Sequence, residues 1–300
     1  MNENTICPVC HSKQVTKDFS VKDHSVSGKE FLILSCTACT LRFTSPVPAE
    51  HEIAPYYQSP EYISHTDQQK GITGILYRIV RKWTLRSKVN LVIRFAKKKV
   101  GMHLDLGAGT GAFVHAMEKE DWNTVGFEPD EMARKRANKL YHVSMYPLQD
   151  FFQLPDGGYD AITLWHALEH VHRLHETVHK LSKLLSPKGK LFIAVPNYTS
   201  YDAVHYGPYW AAYDVPRHLY HFSPESMRVL LQMHGLKIKA VRPMWFDSFY
   251  VSLLSEKYKQ GSFISGFFFG FLSNLFALLN RKKCSSLIYV AERIQDEGDM

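Results

Sequence analysis

The chain has 300 residues, 45% of them hydrophobic, with 36 Lys and Arg against 29 Asp and Glu for a formal charge of +7. That length can bury a full core in one large domain with a small appendage, and five cysteines are too few and too unevenly placed for a secreted disulfide scaffold. The positive excess suits nucleic acid, anionic lipid or an ordinary solvated surface, and Met1-Asn2-Glu3-Asn4-Thr5 lacks the basic and apolar regions of a signal peptide, so a cytoplasmic location is expected.

In chain order, the first feature is a pair of knuckles, Cys7-Pro8-Val9-Cys10 and Cys36-Thr37-Ala38-Cys39. Four thiolates at this spacing satisfy tetrahedral zinc, and a segment of this size lacks a core that would fold unaided. Residues 1–48 therefore read as a zinc ribbon with Phe31-Leu32-Ile33-Leu34 as a strand entering the second knuckle. Four protein ligands leave no open coordination position, so the expected zinc is structural. Residues 49–99 read as an aromatic linker, Ala54 to Tyr62, and a helix from Gly71 to Lys99. Its apolar residues Ile72, Ile75, Leu76, Ile79, Val80 and Trp83 recur at helical spacing, with Arg78, Arg81, Lys82 and Arg86 elsewhere on the surface. Such a helix can lie over the sheet as a lid, or on a membrane surface.

Residues 100–295 alternate strand and helix in the manner of a doubly wound α/β sheet, with strands expected near 102–106, 124–128, 142–146, 160–165, 190–195, Gly235–Val241 and Ser286–Glu292. The first strand runs into Leu104-Asp105-Leu106-Gly107-Ala108-Gly109-Thr110-Gly111, and the second ends in Gly126-Phe127-Glu128-Pro129-Asp130. This is a nucleoside-cofactor turn: the glycines let backbone approach the ligand, and Glu128 can accept hydrogen bonds from both ribose hydroxyls. Phe127 and Pro129 are placed to flank the ribose or adenine. Glycines alone do not separate a nicotinamide dinucleotide from S-adenosylmethionine. Asp105 does: a carboxylate there repels a pyrophosphate and attracts a sulfonium and an ammonium.

At these residues the chain resembles the class I S-adenosylmethionine-dependent methyltransferases, whose first motif reads acid-x-Gly-x-Gly-x-Gly. The resemblance continues through Gly157-Gly158-Tyr159-Asp160 to His166-Ala167-Leu168-Glu169-His170-Val171 and through Leu185-Ser186-Pro187-Lys188-Gly189-Lys190-Leu191. It implies a seven-stranded Rossmann-like sheet with the seventh strand antiparallel beside the sixth, cofactor contacts at Asp105, Gly107, Gly109, Gly111 and Glu128, an adenine edge near Gln149 and Asp150, and Trp165 bordering the methionine part. With the ribbon included, the chain resembles bacterial zinc-ribbon small-molecule and sugar methyltransferases on Leu41-Arg42-Phe43-Thr44-Ser45-Pro46-Val47-Pro48. The sugar enzymes carry an extra C-terminal domain that is not expected here, which leaves the acceptor open. A second group with ribbons methylates ribosomal RNA guanines.

Residues after the fourth strand face the methyl group by the switch-point rule, which brings His166, Glu169 and His170 into view as bases or as a divalent-ion set. His172, His175 and His179 read as the solvated face of the next helix. The stretch Tyr209-Trp210-Ala211-Ala212-Tyr213-Asp214-Val215-Pro216-Arg217-His218-Leu219-Tyr220-His221-Phe222-Ser223 reads as the acceptor pocket, with aromatics for stacking, Arg217 for an anion and His218 as the favoured base ahead of His221. The bland alternative pairs Asp214 with Arg217. Finally, 250–283 is an apolar helical insertion; Ser262 to Asn280 is uncharged and phenylalanine-rich, followed by Arg281-Lys282-Lys283. It reaches the length of a membrane span, but both flanking strands must join one sheet, so it reads instead as peripheral membrane contact through 262–283, a cover for a greasy acceptor, or packing against protein. The expected function is methyl transfer to a small or lipid-linked acceptor, saccharide or quinone-like. The alternatives are an RNA base methyltransferase, made less fitting by an acceptor loop that is not notably basic, and a non-catalytic cofactor-binding scaffold.

Overall fold

The computed structural model describes residues 5–57 and 72–294, and the side chains of the second span from residue 80. The linker expected at 58–62 and the apolar positions Ile72, Ile75, Leu76 and Ile79 of the lid helix lie outside the described residues and side chains.

Seven strands form the main sheet: β4 (Met102–Leu106), β5 (Asn123–Phe127), β6 (Met145–Tyr146), β7 (Tyr159–Trp165), β8 (Leu185–Pro196), β10 (Leu236–Pro243) and β11 (Ser286–Arg293), in the order β10-β11-β8-β7-β4-β5-β6. Strand β11 inserts antiparallel between β10 and β8, as the resemblance implied. Two boundaries differ from expectation. The third strand shrinks to two residues, and the fifth begins at Leu185, absorbing the Lys188-Gly189 turn. Alternation along the strands divides the core: Leu104, Ile162, Leu164, Ile193 and Val195 pack on one face, Ala161, Phe192 and Val290 on the other. Helix α1 (Ile72–Ala96) covers the second face with Val89 and Val92, beside Phe113 and Met117 of α2 (Ala112–Glu118). Trp83, expected on the buried stripe, is exposed and touches only the rim, edge-on to Phe246. Along the rest of the chain lie α3 (Glu131–Tyr141), α4 (Leu148–Gln153), α5 (Leu174–Leu184), α6 (Tyr201–Tyr206) and α7 (Pro224–Met233), the last begun by a capping box between Ser223 and Ser226.

The ribbon is not an appendage. Its strands β1 (Val15–Lys22), β2 (Glu30–Cys36) and β3 (Arg42–Ser45) are completed by β9 (Tyr220–His221) from the core, in the order β1-β2-β3-β9. Cys7, Val9, Leu41 and Phe43 share one apolar cluster with Leu104, Leu168, Leu219 and Phe222. Histidines at and just before the start of α5 help to hold it. His172 donates Nε2–H to the Pro48 carbonyl and His175 to that of Pro8, each at 3.0 Å, and His175 stacks on His11. Two of the three histidines expected on a solvated face are thus fasteners, and only His179 is exposed.

Between β10 and β11 the insertion is a helical hairpin, α8 (Asp247–Lys259) and α9 (Phe263–Leu279). Helix α9 buries Gly266, Gly270, Ser273 and Ala277, at i, i+4, i+7 and i+11, with the two glycines against α8 and Ser273 donating to Asp202 of α6. A Cβ at Gly270 would stand 2.8 Å from Phe249 Cα, and one at Gly266 2.9 Å from Leu253 Cα, so the backbones touch. The large residues of α9 therefore face outward. Among the described residues no helix is long and apolar enough to cross a membrane.

Candidate active site

The glycine turn after β4 forms as its sequence dictates. Gly107 (φ +75) leaves the strand so close to the next turn that a Cβ would strike Ala167 Cβ at 2.5 Å, which brings residues 166–170 against it. Gly109 (φ +54) has nothing within 4 Å of where its Cβ would be, a cradle open to a ligand. Glu128, at the end of β5, accepts the Gly109 N–H on Oε2 (2.8 Å) and the Asp130 N–H on Oε1 (3.0 Å), which pins the turn and leaves lone pairs for ribose hydroxyls. Burial raises its pKa.

Asp105 lies at the centre. It is buried, and its Oδ1 accepts the Thr163 hydroxyl at 2.5 Å, while Thr163 in turn meets His103 Nε2 at 2.9 Å. Burial lifts the carboxyl to about 7, against the Thr163 hydrogen bond and the nearby Lys88. Lys88 of α1, half-buried, stands 4.5 Å over the Trp165 indole. Burial lowers its pKa while Asp247 and Asp105 pull it up. It is a cation beside Trp165, the residue that the resemblance sets against the methionine part. Sequence reasoning overlooked it because it belongs to a helix on which Lys82, Arg86 and Arg94 face water.

The other expected cofactor positions differ in their surroundings. Phe127 is 1% exposed, its ring packs on Phe151 and Tyr146, and its carbonyl supports the turn by accepting from Gly107 and Ala108. Gly111 serves by packing at the start of α2, tight against Ala137 and Val143. Trp165 borders the turn by way of Phe113 and Lys88. Pro129, Gln149 and Asp150 stay at the exposed rim.

Of the histidines, His166 (φ +55) is fixed between two carboxylates, Nδ1 to Glu169 Oε1 at 3.3 Å and Nε2 to Asp247 Oδ2 at 3.0 Å. Burial alone would lower its pKa, but the two partners overrule it and raise it to about 9, so it is a charged bridge with no lone pair to give. Its geometry disfavours both the base and the metal-ligand roles expected of it. His170 shares its Nδ1 proton between the Arg217 carbonyl and the Tyr57 hydroxyl oxygen, each at 3.0 Å, and burial lowers it to about 4. His218 donates Nδ1–H to the Ala212 carbonyl at 2.8 Å and meets the His170 ring edge-on at 4.6 Å. Both imidazoles therefore keep an Nε2 lone pair. Glu169, fully buried, has Oε2 without a hydrogen-bond partner.

The rest of the 209–223 stretch turns toward the ribbon: Trp210, Asp214 and Arg217 meet Asp23 and Ser25 around one small cavity. Trp210 and Tyr213 are each 1% exposed; the indole N–H goes to Asp202 and the phenol accepts from Arg42. Arg217, equally buried, binds Asp214, Asp23, Ser25 and the Tyr56 carbonyl. His221 Nε2 meets Thr44 at 3.1 Å, and burial drops its pKa far down. Arg217, Tyr213 and His221 tie the ribbon to the core, and the bland pairing of Asp214 with Arg217 is present; His218 instead packs beside His170, next to the turn that carries Glu169. At the ribbon, the sulfur pairs Cys7–Cys39 and Cys10–Cys36 stand 3.5 and 3.6 Å apart, with all four ligand atoms within 4.8 Å of one another, and the Val9 N–H points at Cys7 Sγ. The donor set fits one tetrahedral zinc.

A family model described as a methyltransferase domain matches residues 80–241. Among curated proteins, an uncharacterized methyltransferase of Alkaliphilus oremlandii is 30% identical over 101 residues, 32% of this chain and 46% of the relative. A ubiquinone biosynthesis O-methyltransferase of Erwinia tasmaniensis is 33% identical over 104 residues, 32% of this chain and 43% of the relative. The chain thus spans less than half the length of either. Among solved structures, the magnesium protoporphyrin IX methyltransferase of Synechocystis with bound SAH matches at TM-score 0.52 and 15% identity, over 79% of this chain and 96% of that one. A SAM-dependent methyltransferase of Archaeoglobus fulgidus matches at 0.50 and 17%, over 77% and 99%.

Proposed function

Because this chain belongs to the S-adenosylmethionine-dependent class I methyltransferases, we propose that it methylates a hydroxyl on a lipid-linked ring, saccharide or quinone-like, met at a membrane surface. When bound, S-adenosylmethionine supplies a methyl group on a sulfonium for in-line displacement, and the residues around the glycine turn fit it. Glu128 receives the ribose, Lys88 pairs with the carboxylate, and Asp105 offers the negative charge. The acceptor proton is removed at the pole formed by Glu169, His170 and His218, where both imidazoles turn Nδ1–H to backbone. Replacing His218 by alanine is expected to slow transfer by about 10²–10⁴-fold with cofactor affinity little changed. A matching loss of cofactor binding would remove it from the acceptor side.

The charge on Asp105 gives the cofactor step a pH dependence. With its carboxyl near 7 in the free protein, the acid is largely neutral below that pH, whereas a bound cation favours the ionised form. Affinity for S-adenosylmethionine should therefore weaken on acidification, approaching about tenfold per pH unit below 7, and Asp105→Asn should flatten the profile. Calorimetry across pH 5–8 reads this directly; an identical slope in the variant would rule Asp105 out as its source.

The observation that supports a membrane-borne acceptor is the reversed packing of α9. Its small residues are buried, while Phe263, Ile264, Phe267, Phe268, Leu278 and Leu279 are each more than half exposed. Arg281, Lys282 and Lys283 follow. Such a face inserts into the headgroup boundary of an anionic bilayer and its cations hold it there. It stands near the site: Asn274 of α9 donates to the Trp245 carbonyl, two residues before Asp247. Vesicles containing phosphatidylglycerol should retain the protein, and Phe267→Ser should weaken partition by about tenfold. Equal partition, a stable dimer burying this face, or radiolabelled methyl groups recovered in RNA and not in lipid would overturn the reading.

A further inference from the structure

Glu169, His170 and His218 each bring one ligand atom to within 4.8 Å of the other two. Three features make this more than proximity. The buried Glu169 Oε2 has no hydrogen-bond partner in a place where an unpaired carboxylate oxygen is costly. Both histidines commit Nδ1–H to backbone carbonyls, Arg217 at 3.0 Å and Ala212 at 2.8 Å, which fixes the tautomer with Nε2 as the lone-pair nitrogen. This is how ligating histidines are held. The other Glu169 oxygen is held by His166, itself anchored to Asp247, so the carboxylate is oriented from behind.

We propose that Glu169, His170 and His218 bind a divalent transition-metal cation, separate from the ribbon zinc. Two imidazoles and one carboxylate suit zinc, cobalt, manganese or iron, and three protein ligands leave positions open. His166 is not a ligand: both of its nitrogens are taken. The inference deepens the function proposed above, since a hydroxyl coordinated at the open position ionises near neutral pH and passes its proton to water, with His218 serving as ligand. The cation also explains why a carboxylate is buried there among three imidazoles.

Metal content of the full-length protein tests the inference without any transfer assay. After equilibration with Co²⁺ and desalting, wild type should hold two cations per chain, one giving the intense thiolate charge-transfer band of the ribbon and one giving only weak d–d absorption. His218→Ala and Glu169→Gln should each lose the second cation and keep the thiolate band, which also reports that the variant has folded. Zn²⁺ counted by elemental analysis should repeat the two-to-one change. A single cation in wild type, or two retained in both variants, would overturn the site. A full second equivalent in a protein that labels no lipid would instead sink the acceptor proposed above and leave the cation site standing.

Discussion

Arg217→Ala is expected to destabilise the protein by about 3–5 kcal/mol, seen as a fall of roughly 6–15 °C in the midpoint of thermal unfolding. The guanidinium is 1% exposed and stands 2.6 Å from Asp214 and 3.0 Å from Asp23. Burial by itself would raise both carboxyls. Asp214 is nevertheless held low by the hydrogen bond and charge of Arg217, and Asp23 by Ser27 and Arg217. Removing the cation leaves two buried acids facing each other with no compensation. The sign of the pH dependence follows. Folded-state values below the ordinary carboxylate range mean that wild type keeps this stabilisation above that range and loses it as pH falls through the depressed values. In the variant the acids become easier to protonate, so its deficit should be largest near neutrality and shrink toward pH 4. An anion-binding arginine in an acceptor pocket behaves differently: its loss raises KM and leaves the unfolding midpoint in place. Equal midpoints for the two proteins would restore that role to Arg217.

The contrast shows what a sequence can and cannot convey. The glycine turn was legible because backbone constraint and ligand approach demand particular residues at adjacent positions, and Gly109 opens on empty space as that demand requires. The two cysteine pairs were legible for the same reason. The 209–223 stretch was not, since Trp210, Tyr213 and Arg217 look alike whether they face a substrate or a second domain, and the partners that decide, Asp23, Arg42 and Asp202, lie far along the chain. Asp247 was hidden likewise, an ordinary first-turn acid until the fold brings it 3.0 Å from His166. The apolar run of α9 announced exposure to something greasy or burial. Only the burial of Gly266, Gly270, Ser273 and Ala277 shows which side of the helix is free.

Loss of the ribbon zinc should abolish methyl transfer while sparing the cofactor site. Its four thiolates close the coordination sphere, so the metal does no chemistry of its own. It acts through β3. The Thr44 hydroxyl donates to the His218 carbonyl at 2.7 Å and its N–H to the Leu219 carbonyl, while Phe43 pairs with Tyr220. The loop that positions His218 is thus one edge of the ribbon sheet. Without metal, a segment whose cluster includes Cys7, Cys36 and Cys39 themselves loses its organising centre. A shift of His218 by as little as 1 Å can then cost about 100-fold in rate. The cofactor turn rests instead on β4, β5 and β7, through Glu128, Phe127 and Thr163. Cys36→Ser should therefore reduce transfer by about 100-fold or more, with S-adenosylhomocysteine affinity within a few-fold of wild type. The split is what matters. A ribbon folded apart from the core would leave turnover intact, and full activity in the zinc-free variant would show that β9 does not carry its order to His218.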